Sequence, residues 1–359
     1  MSNEIGSEFW ISDLSDFREK DKPYWLKYWN YIVLTSSGRG AISLLLQEVQ
    51  PEFKTVLLPA YICDSVISPF IAKGYTCYFY DVAEDLTPLI ENVDLYPDLG
   101  IFLHMGYFGF QTNVKLSGII KRLKRKSTII VEDITHTLFS ECQRINDNDY
   151  YIASIRKWMG LPSGGFLASS NICINSILKE DTVFSNMRKE ALSLKAKYIY
   201  NNNINLKIQY RNIFAQAESI LDKDLSAYGI DMLSEKIIYD ISVNELIKKR
   251  RLNFDVLSDG CWNINFIKPI FEKLSSETCP MFYPVYIFGN RNEVRKYFSE
   301  REIYCPIHWE IPEQIKNKNF QNASKIYENI LSIPCDQRYD SSDMKRIISI
   351  LKDIHNIYY

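Results

Sequence analysis

Between residues 40 and 168 short strand-like runs alternate with helix-like ones, and this alternation restricts the fold more than any other feature. Residues 40–49 (GAISLLLQEV) predict a helix with a broad apolar face, 55–58 a strand, 64–72 a helix and 76–82 an aromatic-rich strand. Residues 99–105 and 127–132 predict two further strands, separated by a helix at 117–126 whose exposed face is basic. Strand-like runs at 150–155 and 165–168 close the series. Strands and helices in this order predict βαβ units and an α/β fold with a mostly parallel sheet between helices.

Beyond residue 179 the pattern changes. Residues 179–224 are charged and helix-like, and Lys248-Lys249-Arg250-Arg251 opens a C-terminal part. That part carries a strand at 282–288, a helix at 292–299 and a closing helix at 342–355. The predicted organisation is a large domain over residues 1–240 and a smaller C-terminal α/β domain over 241–359. A chain of 359 residues has room for both.

Composition narrows the function classes. Lys and Arg total 42 and Asp and Glu 44, so the net charge of -2 argues against a nucleic-acid partner. The basic run from Lys121 to Lys126 reads as a solvated helix face, placed favourably at a helix C-terminus. No apolar run approaches the length of a membrane span. The first ten residues lack a charged-then-apolar leader pattern, which predicts a cytoplasmic protein. Eight dispersed cysteines without a C-x-x-C pair read as free thiols. The four histidines are not spaced to join them in a metal site, so none is expected.

Four local patterns carry candidate chemistry, and each alone admits an ordinary structural reading. Thr35-Ser36-Ser37-Gly38-Arg39-Gly40 precedes an apolar helix. Its free N–H groups suit a phosphate, although a plain serine N-cap fits as well. Asp133 and His136, in Glu132-Asp133-Ile134-Thr135-His136, follow a strand, where functional carboxylates commonly lie. Ser154-Ile155-Arg156-Lys157-Trp158 leads into a Gly- and Pro-rich turn, a setting for an amine that forms a Schiff base or for a surface lysine. Tyr107 and Phe108, in His104-Met105-Gly106-Tyr107-Phe108-Gly109-Phe110, wall a planar ligand or pack in the core.

Taken in order, these patterns resemble fold-type I pyridoxal-phosphate enzymes, and more narrowly the DegT/DnrJ/EryC1/StrS family of sugar aminotransferases. The stretches that carry the likeness are SSGRGAISLLL, VLLPAYICDSVISPF, HMGYFGF, VEDITHTLF, ASIRKWMGLPSGGFLA and LSIPCDQRYDSSDMKRI. The resemblance implies a seven-stranded, mostly parallel sheet in the large domain and pyridoxal 5'-phosphate as cofactor. Lys157 matches the catalytic lysine that carries the cofactor as a Schiff base. Asp133 matches the carboxylate paired with the pyridine nitrogen, and His136 the residue beside the ring hydroxyl. Gly38 and Arg39 match the phosphate cup, to which the Arg39 side chain would add charge, and Ser154 matches a phosphate ligand. Tyr61 and Cys63 fall in the segment that stacks on the ring. A small residue such as Cys63 there would leave stacking to another ring, such as Tyr107 or Phe108.

His308, in Cys305-Pro306-Ile307-His308-Trp309, falls in a segment that closes over the site or forms a buried aromatic loop. Arg338 would meet a substrate anion or make a structural ion pair. The spacing of Ser154 and Lys157 is shorter than in many family members, and the partner-subunit phosphate ligand is not evident near Gln209-Tyr210-Arg211. The implied activity is transfer of an amino group, from glutamate, to a nucleotide-linked keto sugar for amino-sugar or polysaccharide biosynthesis. The implied assembly is a homodimer. Two other readings stay open: a non-sugar keto substrate, or a partner or regulatory subunit with little turnover. A sugar dehydratase is disfavoured, because Lys157 is present where that branch has histidine.

Overall fold

A computed structural model of the chain describes residues 4–11, 23–141 and 147–358. Cys142 lies outside the described residues, and the other seven cysteines are free thiols. The strands are β1 (Ile5–Gly6), β2 (Tyr31–Thr35), β3 (Thr55–Pro59), β4 (Thr76–Val82), β5 (Pro88–Leu89), β6 (Ile101–Met105), β7 (Ile129–Asp133), β8 (Tyr150–Ala153), β9 (Gly165–Ser169), β10 (Ile267–Pro269), β11 (Tyr283–Ile287), β12 (Ile303–Tyr304) and β13 (Ile330–Ile333). The helices are α1 (Gly38–Glu48), α2 (Asp64–Ala72), α3 (Ser117–Arg125), α4 (Thr182–Asn201), α5 (Ile204–Lys223), α6 (Met232–Asp240), α7 (Val243–Cys261), α8 (Arg291–Ser299), α9 (Glu313–Lys316), α10 (Gln321–Asn329) and α11 (Ser341–Tyr358).

The main sheet runs β2-β9-β8-β7-β6-β3-β4-β5. Seven of these strands have four to seven residues, and β5 adds a two-residue antiparallel edge. The pairs β7–β8, β6–β7, β3–β6 and β3–β4 are parallel. Strand β9 runs antiparallel to both β8 and β2, so β2 points the same way as β8. Every residue of β6, β8 and β9 is buried, as expected of strands covered on both faces. Strand β2 is the one main-sheet strand of full length that the sequence pattern did not predict. Three of its residues are only partly buried and one is exposed, which blurs its apolar signal.

The carboxyl ends of β2, β3, β6, β7 and β8 lie at one edge of this sheet, the edge at which open α/β sheets bind ligands. The C-terminal part carries an antiparallel sheet, β10-β11-β13, with its own apolar cluster between Phe254 and Ile354. Ile5 joins that cluster, because β1 pairs with β12. The basic run of α3 faces solvent, where Arg122 and Lys126 meet Asp94 and Lys124 meets Asp149. Among the described residues no helix is long and apolar enough to cross a membrane.

Candidate active site

Asp133 ends β7 and Ser154 directly follows β8, the neighbouring parallel strand. Thr135 links the two. Its N–H donates to Asp133 Oδ1 at 2.8 Å, and its Oγ1 accepts from the Ser154 N–H at 2.9 Å. Its carbonyl also accepts from Trp158 Nε1 at 2.6 Å. Burial raises the Asp133 pKa to about 6, against the pull of the Thr135 hydrogen bonds. The carboxylate therefore sits where its charge is costly and a cationic ligand would be welcome.

Helix α1 begins where β2 ends. Ser37 caps it, its Oγ accepting from the Gly40 N–H at 3.0 Å, and the Ser37 carbonyl accepts from Ala41. The N–H groups of Gly38 and Arg39 are left without intrahelical partners. A Cβ on Gly38 would lie 3.1 Å from Ser154 Cβ, so the helix start and Ser154 form one cup. Ser36 Oγ, beside it, is buried with no partner. Opposite, a Cβ on Gly165 would come within 2.5 Å of the Ser37 backbone, so only glycine lets β9 pass the cap.

Lys157 closes the short 3₁₀ turn Ile155–Lys157. The turn folds back on the glycine-rich segment, with Ile155 N–H donating to the Gly164 carbonyl at 3.1 Å. The Lys157 side chain is exposed and faces a cavity of about 1000 Å³. Its amine has no hydrogen-bond or ion-pair partner among the described residues.

An aromatic wall continues the site. Tyr107 donates to the Tyr61 carbonyl at 2.6 Å, and the Phe108 N–H reaches His136 Nδ1 at 3.3 Å. Trp309 lies over His136 and Tyr61, with ring centroids 5.4 and 5.2 Å away. Tyr61 also donates to the His308 carbonyl, and His308 Nδ1 meets Ser332 Oγ at 2.7 Å. Burial, reinforced by the charge of Lys157, lowers the His136 pKa to about 3. Burial, His136 and Lys157 likewise hold His308 well below the usual histidine range. Both rings are neutral at pH 7. With Nδ1 accepting from Phe108, neutral His136 carries its proton on Nε2. Cys63 precedes α2, where its sulfur accepts from Ser65 Oγ at 3.0 Å.

Lys157, His308 and Arg338 line the cavity. Asp133, His136, Ser154, Tyr61, Tyr107 and Phe108 are buried and do not line it. Arg39 differs from expectation, and Arg338 makes the structural ion pair that is one of its two readings. The Arg39 guanidinium turns away to Glu218 and Asp222 of α5, so only its backbone is available to the cup. Arg338 spends its donors on Asp336 and on the carbonyls of Ser7 and Glu8, which makes it a clasp for the N-terminal segment rather than a substrate contact. Sequence reasoning did not single out Trp309 or Thr135 as site residues, although both lie within motifs it marked. It gave no sign of Glu218, which reaches the site from α5.

No family model matches the chain, and no curated protein matches it. Solved structures do match. Helicobacter pylori PseC, an aminotransferase involved in the biosynthesis of pseudoaminic acid, aligns over 99% of this chain and 100% of its own at TM-score 0.71 and 11% identity. A DegT DnrJ EryC1 StrS aminotransferase from Brucella abortus aligns over 91% and 86% at 0.62 and 13%. NtdA from Bacillus subtilis, solved with bound cofactor PMP, aligns over 94% and 78% at 0.64 and 13%. The chain thus has the fold of these aminotransferases over nearly its whole length.

Proposed function

We propose that the protein is a pyridoxal-phosphate-dependent aminotransferase acting on a keto sugar, most specifically a nucleotide-linked one, with glutamate as donor. The observation that carries this reading is a single grouping at the strand ends: a costly buried carboxylate at Asp133, a helix start packed on Ser154 at Gly38, and an unpartnered amine at Lys157. It is supported by the similar structures, which are aminotransferases, and by the likeness of the sequence motifs. Pyridoxal phosphate, when bound, supplies an electron sink for proton movement at the carbon bearing nitrogen.

The chain's own residues have distinct parts. The Gly38 and Arg39 amides and the Ser154 hydroxyl bind the phosphate. Asp133 would pair with the ring nitrogen and keep it protonated, and the His136 Nε2–H would donate to the ring hydroxyl. Lys157 would anchor the cofactor, and its Nζ, once released, would carry the proton. The cavity beyond Lys157, with Lys207, Arg211, Arg295 and Lys296 on its walls, suits an extended anionic substrate. A homodimer in the cytoplasm belongs to the same reading, as does a role in amino-sugar or polysaccharide biosynthesis.

The test is spectroscopic. The purified protein is expected to be yellow, the colour of a cofactor Schiff base that absorbs in the violet, and borohydride is expected to fix the cofactor on Lys157. Addition of L-glutamate should convert the bound cofactor to its amine form. A Lys157→Ala protein that reacts with borohydride and glutamate as the parent does would overturn the assignment. Fixation on Lys157 without conversion by any amino acid would point instead to a silent partner subunit.

A further inference from the structure

The cavity that Lys157 faces has a second cationic group that this chemistry leaves idle. Arg156 and Arg188 both line it, with side chains only 9% and 3% exposed. Each donates one Nη1 to the same oxygen, Glu218 Oε1, at 2.8 and 2.9 Å. Arg39 shares the other Glu218 oxygen at 3.3 Å. The Nε of Arg156 and that of Arg188 are both buried without a partner. Asp222 takes the other side of Arg39, so Arg156 and Arg188 are left with the Glu218 carboxylate between them and two buried Nε groups without acceptors, a costly state for buried cations.

The further acid that meets this pair is Glu8, whose Oε2 lies 3.5 Å from Arg188 Nη2. Glu8 belongs to the N-terminal segment, which is pinned through its backbone. Ile5 N–H donates to the Glu302 carbonyl at 2.9 Å, Gly6 N–H to Tyr339 Oη at 2.8 Å, and Arg338 to the Glu8 carbonyl at 2.9 Å. Lys195 binds Ser7 Oγ at 2.5 Å and the Glu8 carbonyl as well. The segment thus stays in place whatever its carboxylate does. The Glu8 side chain itself is 48% exposed and makes one long contact with Arg188. A loosely held carboxylate therefore stands beside two buried, under-satisfied guanidiniums and within the field of Lys157.

We propose that Arg156 and Arg188 form the site for the carboxylate of the amino donor, and that Glu8 is an internal carboxylate which occupies it until the donor displaces it. The proposal rests on the aminotransferase reading. A planar carboxylate suits two adjacent guanidinium forks. A phosphate oxyanion shares that chemistry, so both probes are needed.

The test is calorimetric titration of the purified protein with glutarate, a dicarboxylate without an amine, and separately with inorganic phosphate. Glu8→Gln is expected to tighten glutarate roughly tenfold by removing the competitor. Arg188→Gln is expected to weaken it by at least about tenfold, and Arg188→Lys by less. Unchanged glutarate affinity in Glu8→Gln, whose half-exposed side chain puts the fold at little risk, overturns the proposal. So does tighter binding of phosphate than of glutarate at the same arginines. Conversion by L-glutamate, read at the cofactor absorbance, separates the two claims. Conversion with no effect of Glu8→Gln or Arg188→Gln on glutamate saturation sinks the carboxylate site alone. Glutarate binding that follows the substitutions, without conversion, sinks the aminotransferase reading and leaves a carboxylate site whose ligand is not an amino donor.

Discussion

Gly38 and Ser154 touch: a Cβ built on the glycine would stand 3.1 Å from the serine Cβ. One opens α1 and the other follows β8, so their contact fixes the start of the helix against the strand end. Gly38→Ala should push the two apart by a few tenths of an ångström and narrow the cup. The expected result is a loss of pyridoxal-phosphate affinity of about tenfold, near 1.4 kcal/mol, by equilibrium titration. Far-ultraviolet circular dichroism of the variant should match the parent. Unchanged affinity would remove these residues from the phosphate site.

Asp133 yields a pH prediction. Its pKa in the cofactor-free fold is about 6, above the ordinary 3.8, because burial disfavours the charged form. A raised pKa contributes fully to stability below about pH 4, and the contribution is lost as pH rises through about 6. Cofactor-free Asp133→Asn should therefore be more stable than the parent at pH 8, by roughly 2–3 kcal/mol, with the difference gone near pH 4. Urea denaturation across that range measures it. With the cofactor bound the ranking should narrow or reverse, since the pyridinium favours the carboxylate.

Glu218 joins α5 to three arginines from α1, the lysine turn and α4. Those charges hold its carboxyl well below the usual range, although burial opposes them. Glu218→Ala leaves Arg188, almost fully buried, facing Arg156 without the acid between them. A loss on the order of 3 kcal/mol in denaturant unfolding is expected, at the low end for a broken buried pair because this carboxylate is a third exposed. A change under about 0.5 kcal/mol would mean that the network is solvated.

Lys157 offers the opposite case. Its exposed amine has no partner, so Lys157→Ala should shift stability by no more than about 0.5 kcal/mol in the cofactor-free protein. It should nevertheless abolish borohydride fixation. A large loss of stability would show that the lysine supports the turn rather than the chemistry.

The residue order alone determined the succession of strands and helices, since burial on both faces of a strand and one face of a helix imposes local periods. Helix α2 and strand β4 begin and end where their apolar pattern does. It also determined that Asp133 stands at the end of one strand and Lys157 in the turn after the next, because a strand end and a glycine-rich turn are local features. Tertiary structure alone decided where long side chains go. Arg39 is drawn to α5 by acids some 180 residues away, and Arg338 to an N-terminal segment more than 300 residues away. Trp309 over His136, and Glu218 among three arginines, are likewise unions of distant chain. Local sequence carries no record of them, since charge pairing and ring packing depend on distance in space and every such distance is set by how the elements stack.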